Sequence, residues 1–354
     1  MVELINVCKV FNKSIYALKN VNLVIYDKEL IVVLGPSGCG KTTLLKLISG
    51  LESPSSGIIK INNKDISKNH NENISFVFQD YALYPNMTVF QNISFPLKNL
   101  KQKKRDIITK VEIISKKLKI FDILNRYPSE LSGGQCQRVA LARSIVKKPN
   151  LYLFDEPLCN LDANLRYDMR KEIVRIYGEL NSSFIYVTHD QIEGLSIATR
   201  VILMNNGEIQ QIGTPQEVYN NPKNLFVARF LGLPVMNCIK ICNLINKNKL
   251  LNKLCLDAKN KMNNIVVSFR PFVCHYLFEI DNRVDDIIII YGKITNIEFH
   301  GHYSLIEIIN NYGEKVVFAN KSSTFQYGDN ISIYIKIDDL YLFDEITGER
   351  ILID

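Results

Sequence analysis

A glycine-rich segment directly after a short apolar run is the feature that most constrains this chain. The run is LIVVL at Leu30–Leu34, GPSGCGKT follows at Gly35–Thr42, and a helix is predicted over Thr42–Ile48. Strand, glycine loop and helix in that order are the context that the pattern GxxxxGK[ST] requires. Its glycines let backbone N–H groups turn toward phosphate oxygens, and the helix start adds partial positive charge. The segment therefore predicts an α/β fold and a phosphate ligand.

The loop supplies the first candidate ligands. Lys41 would reach the β- and γ-phosphates of a nucleotide, and the Thr42 hydroxyl would ligate Mg²⁺. A chance glycine turn is the alternative, and the strand and helix on either side disfavour it. The candidate nucleotide-binding residues of the loop are Gly35, Pro36, Ser37, Gly38, Cys39, Gly40, Lys41, Thr42 and Thr43.

A second apolar run ends in two carboxylates, in LYLFDEP at Leu151–Pro157. Asp155 would hold the metal opposite Thr42, and Glu156 could orient or deprotonate an attacking water. Two acids after a strand are ordinarily solvated loop residues. Paired with the phosphate loop, they predict nucleotide hydrolysis.

The pattern of apolar residues changes near residue 235. Before it, apolar runs without polar alternation predict a parallel sheet, with helices between them that cover the sheet. These strands are Leu30–Leu34, Leu151–Phe154, Phe184–Val187 and Val201–Met204, and the long helices are Asp106–Ile123 and Asn164–Leu180. After it, short alternating runs with glycines between them predict a small β-barrel-like domain of OB type. These strands are Lys293–Phe299, Ser304–Ile309, Lys315–Phe318 and Ile331–Ile337. We therefore expect two domains, 1–235 and 236–354.

Charge and composition exclude several classes of protein. Of the formal charge of +7, residues 1–235 carry +9 and residues 236–354 carry −2, so the basic part coincides with the phosphate loop. The run at Lys101–Arg105 is more typical of a solvated helix face than of a nucleic-acid site. The 8 cysteines include no Cys-X-X-Cys pair, which favours reduced thiols over disulfides or zinc. No apolar run approaches membrane-spanning length, and the first residues do not read as a secretory signal. We expect a soluble chain on the cytoplasmic side.

A third motif lies between the other two. LSGGQ occupies Leu131–Gln135, where Ser132 supplies a hydroxyl and Gly133 and Gly134 let amides approach a phosphate at a helix start. With the two flanking motifs, this segment resembles the signature of the ATP-binding subunits of ABC transporters. The resemblance implies a homodimer in which Ser132, Gly133, Gly134 and Gln135 contact the ATP bound by the partner chain.

Further residues match the family pattern. Gln79 resembles the glutamine that contacts Mg²⁺ and water and senses the membrane partner. Asp162 resembles the aspartate of the D-loop, and His189 the switch histidine that reaches the γ-phosphate. An aromatic side chain would stack on adenine, and both Phe11 and Tyr16 are candidates. The resemblance thus implies ATP and Mg²⁺ as cofactors, with Thr42, Gln79 and Asp155 around the metal and Glu156 and His189 catalytic.

The resemblance continues beyond the ATPase motifs. The segments at 210–237 and 341–351 are similar to those of bacterial carbohydrate importers, and most similar to the subunit for sn-glycerol-3-phosphate, followed by maltose-type sugar importers. This implies two integral membrane permease subunits, an extracytoplasmic solute-binding protein and a peripheral position at the inner membrane. The C-terminal domain would be regulatory.

Three positions depart from the family pattern. Cys136 replaces an arginine and Cys159 a serine, and neither replaces a ligand. Phe272 replaces an acid in a regulatory-domain motif, which removes any contact made by that acid.

Two alternative functions are less well supported by the sequence. A non-transport ABC ATPase acting on DNA would need a long coiled-coil insertion between the motifs, and this sequence has none. One acting on the ribosome usually has two ATPase cassettes, and this sequence has one. A non-catalytic nucleotide sensor would not need Glu156 and His189. Each of these functions therefore explains less of the sequence.

Overall fold

The computed structural model describes residues 1–66, 73–159, 161–244, 264–276, 287–321 and 325–352. They form two units, Met1–Val218 and Tyr219–Asp354. The strands of the first unit are β1 Val2–Phe11, β2 Ile15–Ile25, β3 Leu30–Leu34, β4 Ser56–Ile61, β5 Lys64–Asp65, β6 Ile74–Val77, β7 Leu151–Asp155, β8 Ser183–Thr188, β9 Arg200–Asn205 and β10 Glu208–Gly213. Its helices are α1 Lys41–Ser49, α2 Val89–Asn99, α3 Lys104–Lys117, α4 Gly133–Ile145, α5 Ala163–Glu179 and α6 Gln191–Ile197, and α7 Pro215–Asn220 crosses the division.

The first unit is built on a six-stranded sheet in the order β10-β9-β3-β8-β7-β6. β9, β3, β8, β7 and β6 run parallel, and β10 pairs antiparallel with β9. All residues of β3, β7 and β8 are buried, as expected of parallel strands covered on both faces. The four apolar runs predicted as strands are thus confirmed.

Two layers of apolar side chains hold this sheet. One core joins α1 and one sheet face to a second, antiparallel sheet in the order β2-β1-β4-β5. Aromatic rings pack together on the central strands, where Phe154 lies 5.4 Å from Phe184 and 5.9 Å from Tyr186 between ring centroids. This buried packing makes the carboxyl edge of the sheet a rigid base for side chains that follow the strands.

One predicted helix is shorter than expected. The periodicity of Asp106–Ile123 predicts one long helix, but α3 ends at Lys117. Lys119 has a φ of 56°, a left-handed conformation that cannot continue an α-helix, and a short 3₁₀ turn follows at Phe121–Ile123. The predicted helix Asn164–Leu180 corresponds to α5, shifted by one residue.

The second unit is rich in β-structure, as predicted. It contains α8 Leu225–Phe230 and the strands β11 Asn237–Lys240, β12 Ile265–Phe269, β13 His275–Tyr276, β14 Ile287–Phe299, β15 Ser304–Asn310, β16 Lys315–Asn320, β17 Asn330–Lys336, β18 Tyr341–Asp344 and β19 Arg350–Ile351. They form two sheets, β11-β12-β18-β19 and β13-β17-β14-β15-β16, that share one apolar core. The result is a barrel-like arrangement.

The division between the units lies before residue 235, at Val218/Tyr219. Residues 219–235 belong with the β-rich unit because their side chains pack into it. Ala228, Met236 and Phe343 form a small core of their own. The Arg270 guanidinium donates hydrogen bonds to the carbonyl of Tyr219, at 2.8 Å, and to that of Leu231. The boundary predicted at residue 235 lies at the end of this packed segment.

Across the described ranges, none of the helices is both long enough and apolar enough to cross a bilayer.

Candidate nucleotide-binding and hydrolysis site

The sheet brings the predicted site residues to one edge. In parallel strands the carboxyl ends lie on the same side, and ligands of α/β proteins bind there. The phosphate loop follows β3, His189 follows β8, Asp155 ends β7 and Gln79 follows β6, and these four strands are neighbours in that order. Residues far apart in sequence thus meet along one line.

The phosphate loop is closed around its own lysine. Nζ of Lys41 donates to the carbonyl oxygens of Gly35, at 2.8 Å, and Pro36, at 2.9 Å, and the side chain is buried. Gly40 precedes α1 with a φ of 106°, in the region that favours glycine. The ammonium group is therefore held inside the loop, at the start of a helix, where negative charge is favoured.

The backbone and side chains packed around the loop explain why glycine is required at two of its positions and why its cysteine is buried. A Cβ on Gly35 would come within 2.3 Å of the Met204 carbonyl oxygen, and one on Gly40 within 2.4 Å of that of Ala17. The side chain of Cys39 belongs to the apolar core, and burial raises the pKa of its thiol. The predicted contribution of Cys39 is therefore restricted to its backbone.

The side chains of Thr42 and Asp155 are in contact. The Thr42 hydroxyl donates to Oδ1 of Asp155 at 2.9 Å. Burial raises the pKa of the Asp155 carboxyl, and the nearby charge of Glu156 raises it further against the opposing hydrogen bond from Thr42. A desolvated carboxylate beside a hydroxyl is a fitting donor set for a hard cation such as Mg²⁺, which takes one or two protein ligands together with phosphates and waters.

Glu156 and His189 form the second pair. Nδ1 of His189 lies 3.0 Å from Oε2 of Glu156. Glu156 itself has a φ of 44°, unusual for a side chain with a Cβ, and its backbone N–H donates to the Val187 carbonyl at 3.0 Å. That bond extends the pairing of β7 with β8 by one residue beyond Asp155.

Gln79 joins the same region through Cys159. The Gln79 side chain hydrogen-bonds the thiol of Cys159, while burial raises the pKa of that thiol. Cys159, which stands where the family has a serine, therefore makes a polar contact to Gln79.

The signature residues bond to one another. The Ser132 hydroxyl accepts from the backbone N–H of Gln135 at 3.4 Å, and Oε1 of Gln135 accepts from that of Ser132 at 3.0 Å. This reciprocal cap starts α4 and leaves Ser132 and Gly133 exposed. Gly134 is buried instead, and it packs so closely on α5 that an added Cβ would come within 2.2 Å of the Leu165 side chain. The sequence assigned Gly134 to phosphate approach; its described contact is helix packing.

The remaining candidates lie on the surface. Asp162 caps α5, accepting from the backbone N–H of Leu165 at 2.9 Å. Phe11 and Tyr16 lie on the β1–β2 hairpin and are 36% and 56% exposed, so either ring is accessible for stacking. Nζ of Lys9 lies 4.9 Å from the centroid of the Phe11 ring.

Sequence reasoning missed a buried carboxyl on α6, the helix that follows His189. Glu193, on α6, is 3% exposed, and it accepts hydrogen bonds from the hydroxyls of Tyr186 and, at 3.0 Å, Thr188. Burial raises its pKa to about 7, against the lowering effect of Arg166 and Arg170. Its only sequence signal was a glutamate three residues after Asp190, the N-cap pattern of a helix.

We expect Glu193 to make stability depend on pH. Because the pKa of Glu193 is raised, the folded state holds this proton more tightly than the unfolded state does, and the bound proton stabilises the fold. This stabilisation is fully present below the unfolded pKa of 4.5 and is lost as pH rises through about 7. This loss corresponds to about 3 kcal/mol in the free energy of unfolding. Denaturant unfolding at pH 5 and pH 8 should therefore show a smaller decrease for Glu193→Gln than for the unsubstituted protein. Equal decreases would contradict the assignment.

Fold and site together define a nucleotide-binding protein of the phosphate-loop class. The ABC transporter family matches over residues 18–159. The sn-glycerol-3-phosphate import ATP-binding protein UgpC of Vibrio vulnificus YJ016 is 40% identical, covering 98% of this chain and 94% of the relative. UgpC 2 of Rhizobium johnstonii is also 40% identical, with 99% and 98% covered. The chain belongs to the ATP-binding proteins of ABC transporters.

Solved structures agree with this assignment. A dimeric post-hydrolysis structure of the ATP-binding cassette MJ0796 with ADP and Pi has a TM-score of 0.56 and 31% identity, covering 61% of this chain and 99% of that one. CbiO1 of Clostridium perfringens, part of the transporter complex cbiONQ, has a TM-score of 0.58 and 31% identity, covering 61% and 89%. Each covers about the share of this chain that the first unit occupies.

Proposed function

We propose that this protein is the ATP-hydrolysing subunit that powers an import complex for sn-glycerol-3-phosphate. The observation that carries the proposal is the Glu156–His189 pair, at 3.0 Å, on the same sheet edge as the phosphate loop and Asp155. The solute is carried over from relatives about 40% identical along nearly the whole chain, whose names specify it. Import of maltose or another sugar by the same mechanism is the alternative.

The residues divide the chemistry between binding and water activation. The loop amides and Lys41 would bind the β- and γ-phosphates of ATP, and Phe11 or Tyr16 would stack on adenine. Thr42, Asp155 and Gln79 would hold Mg²⁺, which neutralises phosphate charge when bound.

Glu156 is suited to orient the attacking water and accept its proton, because the His189 ring and the Val187 carbonyl fix its position. His189, 53% exposed, remains accessible to a γ-phosphate.

A complete site would need two chains. Ser132 and Gly133 are exposed at the start of α4, where amides and a helix N-terminus would favour a partner's phosphate. MJ0796, with a related cassette, is a dimer. We therefore propose a homodimer with two ATP molecules between the protomers, in which closure assembles the sites and hydrolysis reopens them.

The complex would include two membrane permease subunits and an extracytoplasmic solute-binding protein, with this chain peripheral on the cytoplasmic face. Residues 81–85 would contact the permeases. Tyr84 in this segment is 39% exposed, and its ring lies 4.7 Å from that of Phe95 and 5.5 Å from the Arg143 guanidinium. It is thus anchored on one side and open on the other, which suits a docking surface.

A Tyr84→Asp variant should weaken assembly with the permeases and abolish uptake of labelled sn-glycerol-3-phosphate, yet hydrolyse ATP normally by itself. A carboxylate near Arg143 is tolerated in the fold but removes the aromatic surface. Tyr84→Phe is the matched control and should assemble and transport.

The assay uses proteoliposomes containing the full complex, with labelled maltose in parallel. Unchanged co-purification and uptake for Tyr84→Asp would argue against the docking role, and an insoluble variant would show that the ring only packs the fold. Uptake of maltose alone would reassign the solute.

A further inference from the structure

Arg166 connects the two segments that carry Glu156 and His189. It lies on the first turn of α5, and its Nη1 donates to Oδ2 of Asp190 at 3.1 Å. Its Nη2 donates to the Leu161 carbonyl at 3.2 Å. Leu161 lies in the turn after β7 and Asp190 in the turn after β8. One guanidinium therefore spans the ends of two neighbouring strands.

The Asp190 end of this link is fixed to the histidine segment. Oδ1 of Asp190 accepts from the backbone N–H of Glu193 at 3.0 Å, and the backbone N–H of Asp190 donates to the Thr188 hydroxyl at 3.0 Å. His189 lies between Thr188 and Asp190, so both of its neighbours are bonded in place.

The Leu161 end is fixed to the glutamate segment. The backbone N–H of Leu161 donates to the Leu158 carbonyl at 3.3 Å, and that of Cys159 donates to the Glu156 carbonyl at 3.3 Å. These turns place Leu161, 7% exposed, next to the segment that starts at Glu156. A shift of Arg166 would thus move both turns relative to each other.

We infer that Arg166 is a positioning residue for ATP hydrolysis: through Asp190 and the Leu161 carbonyl it sets the distance between His189 and Glu156. Arg166 does not touch the reacting atoms in this role. The inference rests on the proposed roles of Glu156 and His189. Arg166 lies outside the motifs that identify the family, and its bond to Asp190 forms because α5 and α6 are adjacent.

The test compares the kinetics of Arg166→Met with those of Arg170→Met. Arg170 lies one turn further along α5, reaches α6 through Ser196 at 3.4 Å, and like Arg166 lowers the pKa of Glu193, but its described bond is not to Asp190 or Leu161. Misplacing catalytic groups by about 1 Å can reduce turnover about 10²-fold. We therefore expect Arg166→Met to lower kcat about 10- to 100-fold with the Kd for ATP within about twofold, and Arg170→Met to retain normal kcat.

A double-mutant cycle with Asp190→Asn separates positioning from general loss of structure. Asparagine still caps α6 but cannot pair with a cation, so the double variant should lose no more kcat than the single ones. Arg166→Lys, which keeps the charge, should recover part of the activity. If Arg166→Met does not fold, Arg166→Lys and Asp190→Asn carry the test.

Additive losses, equal losses in Arg166→Met and Arg170→Met, or unchanged kcat in Arg166→Met would overturn the inference. If Glu156→Gln itself retained full turnover, the proposed site would fail first, and that outcome is distinguishable because it does not involve Arg166.

Discussion

A Glu156→Gln variant keeps ATP binding and dimer closure but loses ATP turnover by about 10²–10⁴-fold, the usual contribution of a general base. Glutamine has the shape of glutamate, so the Glu156–Val187 backbone bond and the left-handed turn remain. The substitution removes the carboxylate that lies 3.0 Å from Nδ1 of His189. The amide that replaces it cannot deprotonate water.

Two measurements on purified protein decide this prediction. Phosphate release gives turnover, and gel filtration with ATP shows closure, because a dimer that binds but cannot hydrolyse ATP accumulates. The control is Glu208→Gln, at an exposed carboxylate on β10, which should leave turnover unchanged. Near-normal hydrolysis by Glu156→Gln would remove Glu156 from the role of base.

Mixing two inactive chains should restore intact nucleotide sites. In a head-to-tail dimer, Lys41 of one protomer and Ser132 of the other serve the same ATP. Lys41→Ala and Ser132→Arg homodimers therefore have two defective sites each. A heterodimer concentrates both defects in one site and leaves the other complete. Random equal mixing makes about half the dimers mixed, so about one site in four is intact.

Occlusion of labelled ATP is the appropriate measurement, because it requires only that one site closes. Turnover could be lost even from an intact site if both sites must act together. Heterodimers should be verified by two different affinity tags before the assay. Verified heterodimers that occlude no more ATP than either parent would mean that the signature and the phosphate loop act within one chain.

The motifs and the central strands could be predicted because they are local. The apolar runs of β3, β7 and β8 have no polar alternation, Asp155 ends β7, and the phosphate loop with Thr42 follows β3. Pairing across 113 residues, as in the Thr42–Asp155 bond, followed from the shared edge of a parallel sheet.

Other features depend on tertiary contacts and have no local signal. The left-handed Lys119 interrupts a helical periodicity that continues in the sequence, so the end of α3 was predicted too late. Arg166 and Glu193 read as ordinary polar residues of amphipathic helices. Their importance arises from the neighbours that α5 and α6 bring to them. Gly134 was matched to a motif, while its packing against Leu165 is visible only in space.

The walls of the phosphate loop limit how the motif can be used in protein design. Gly35 and Gly40 are held against the carbonyls of Met204 and Ala17, and the backbone N–H of Gly207 donates to the Cys39 carbonyl at 3.0 Å. Backbone contacts from strands remote in sequence therefore shape the loop. The eight residues Gly35–Thr42 transferred to another scaffold would keep their sequence but lose these contacts, so a designed phosphate-binding site must also include the backbone of β2 and of β9–β10.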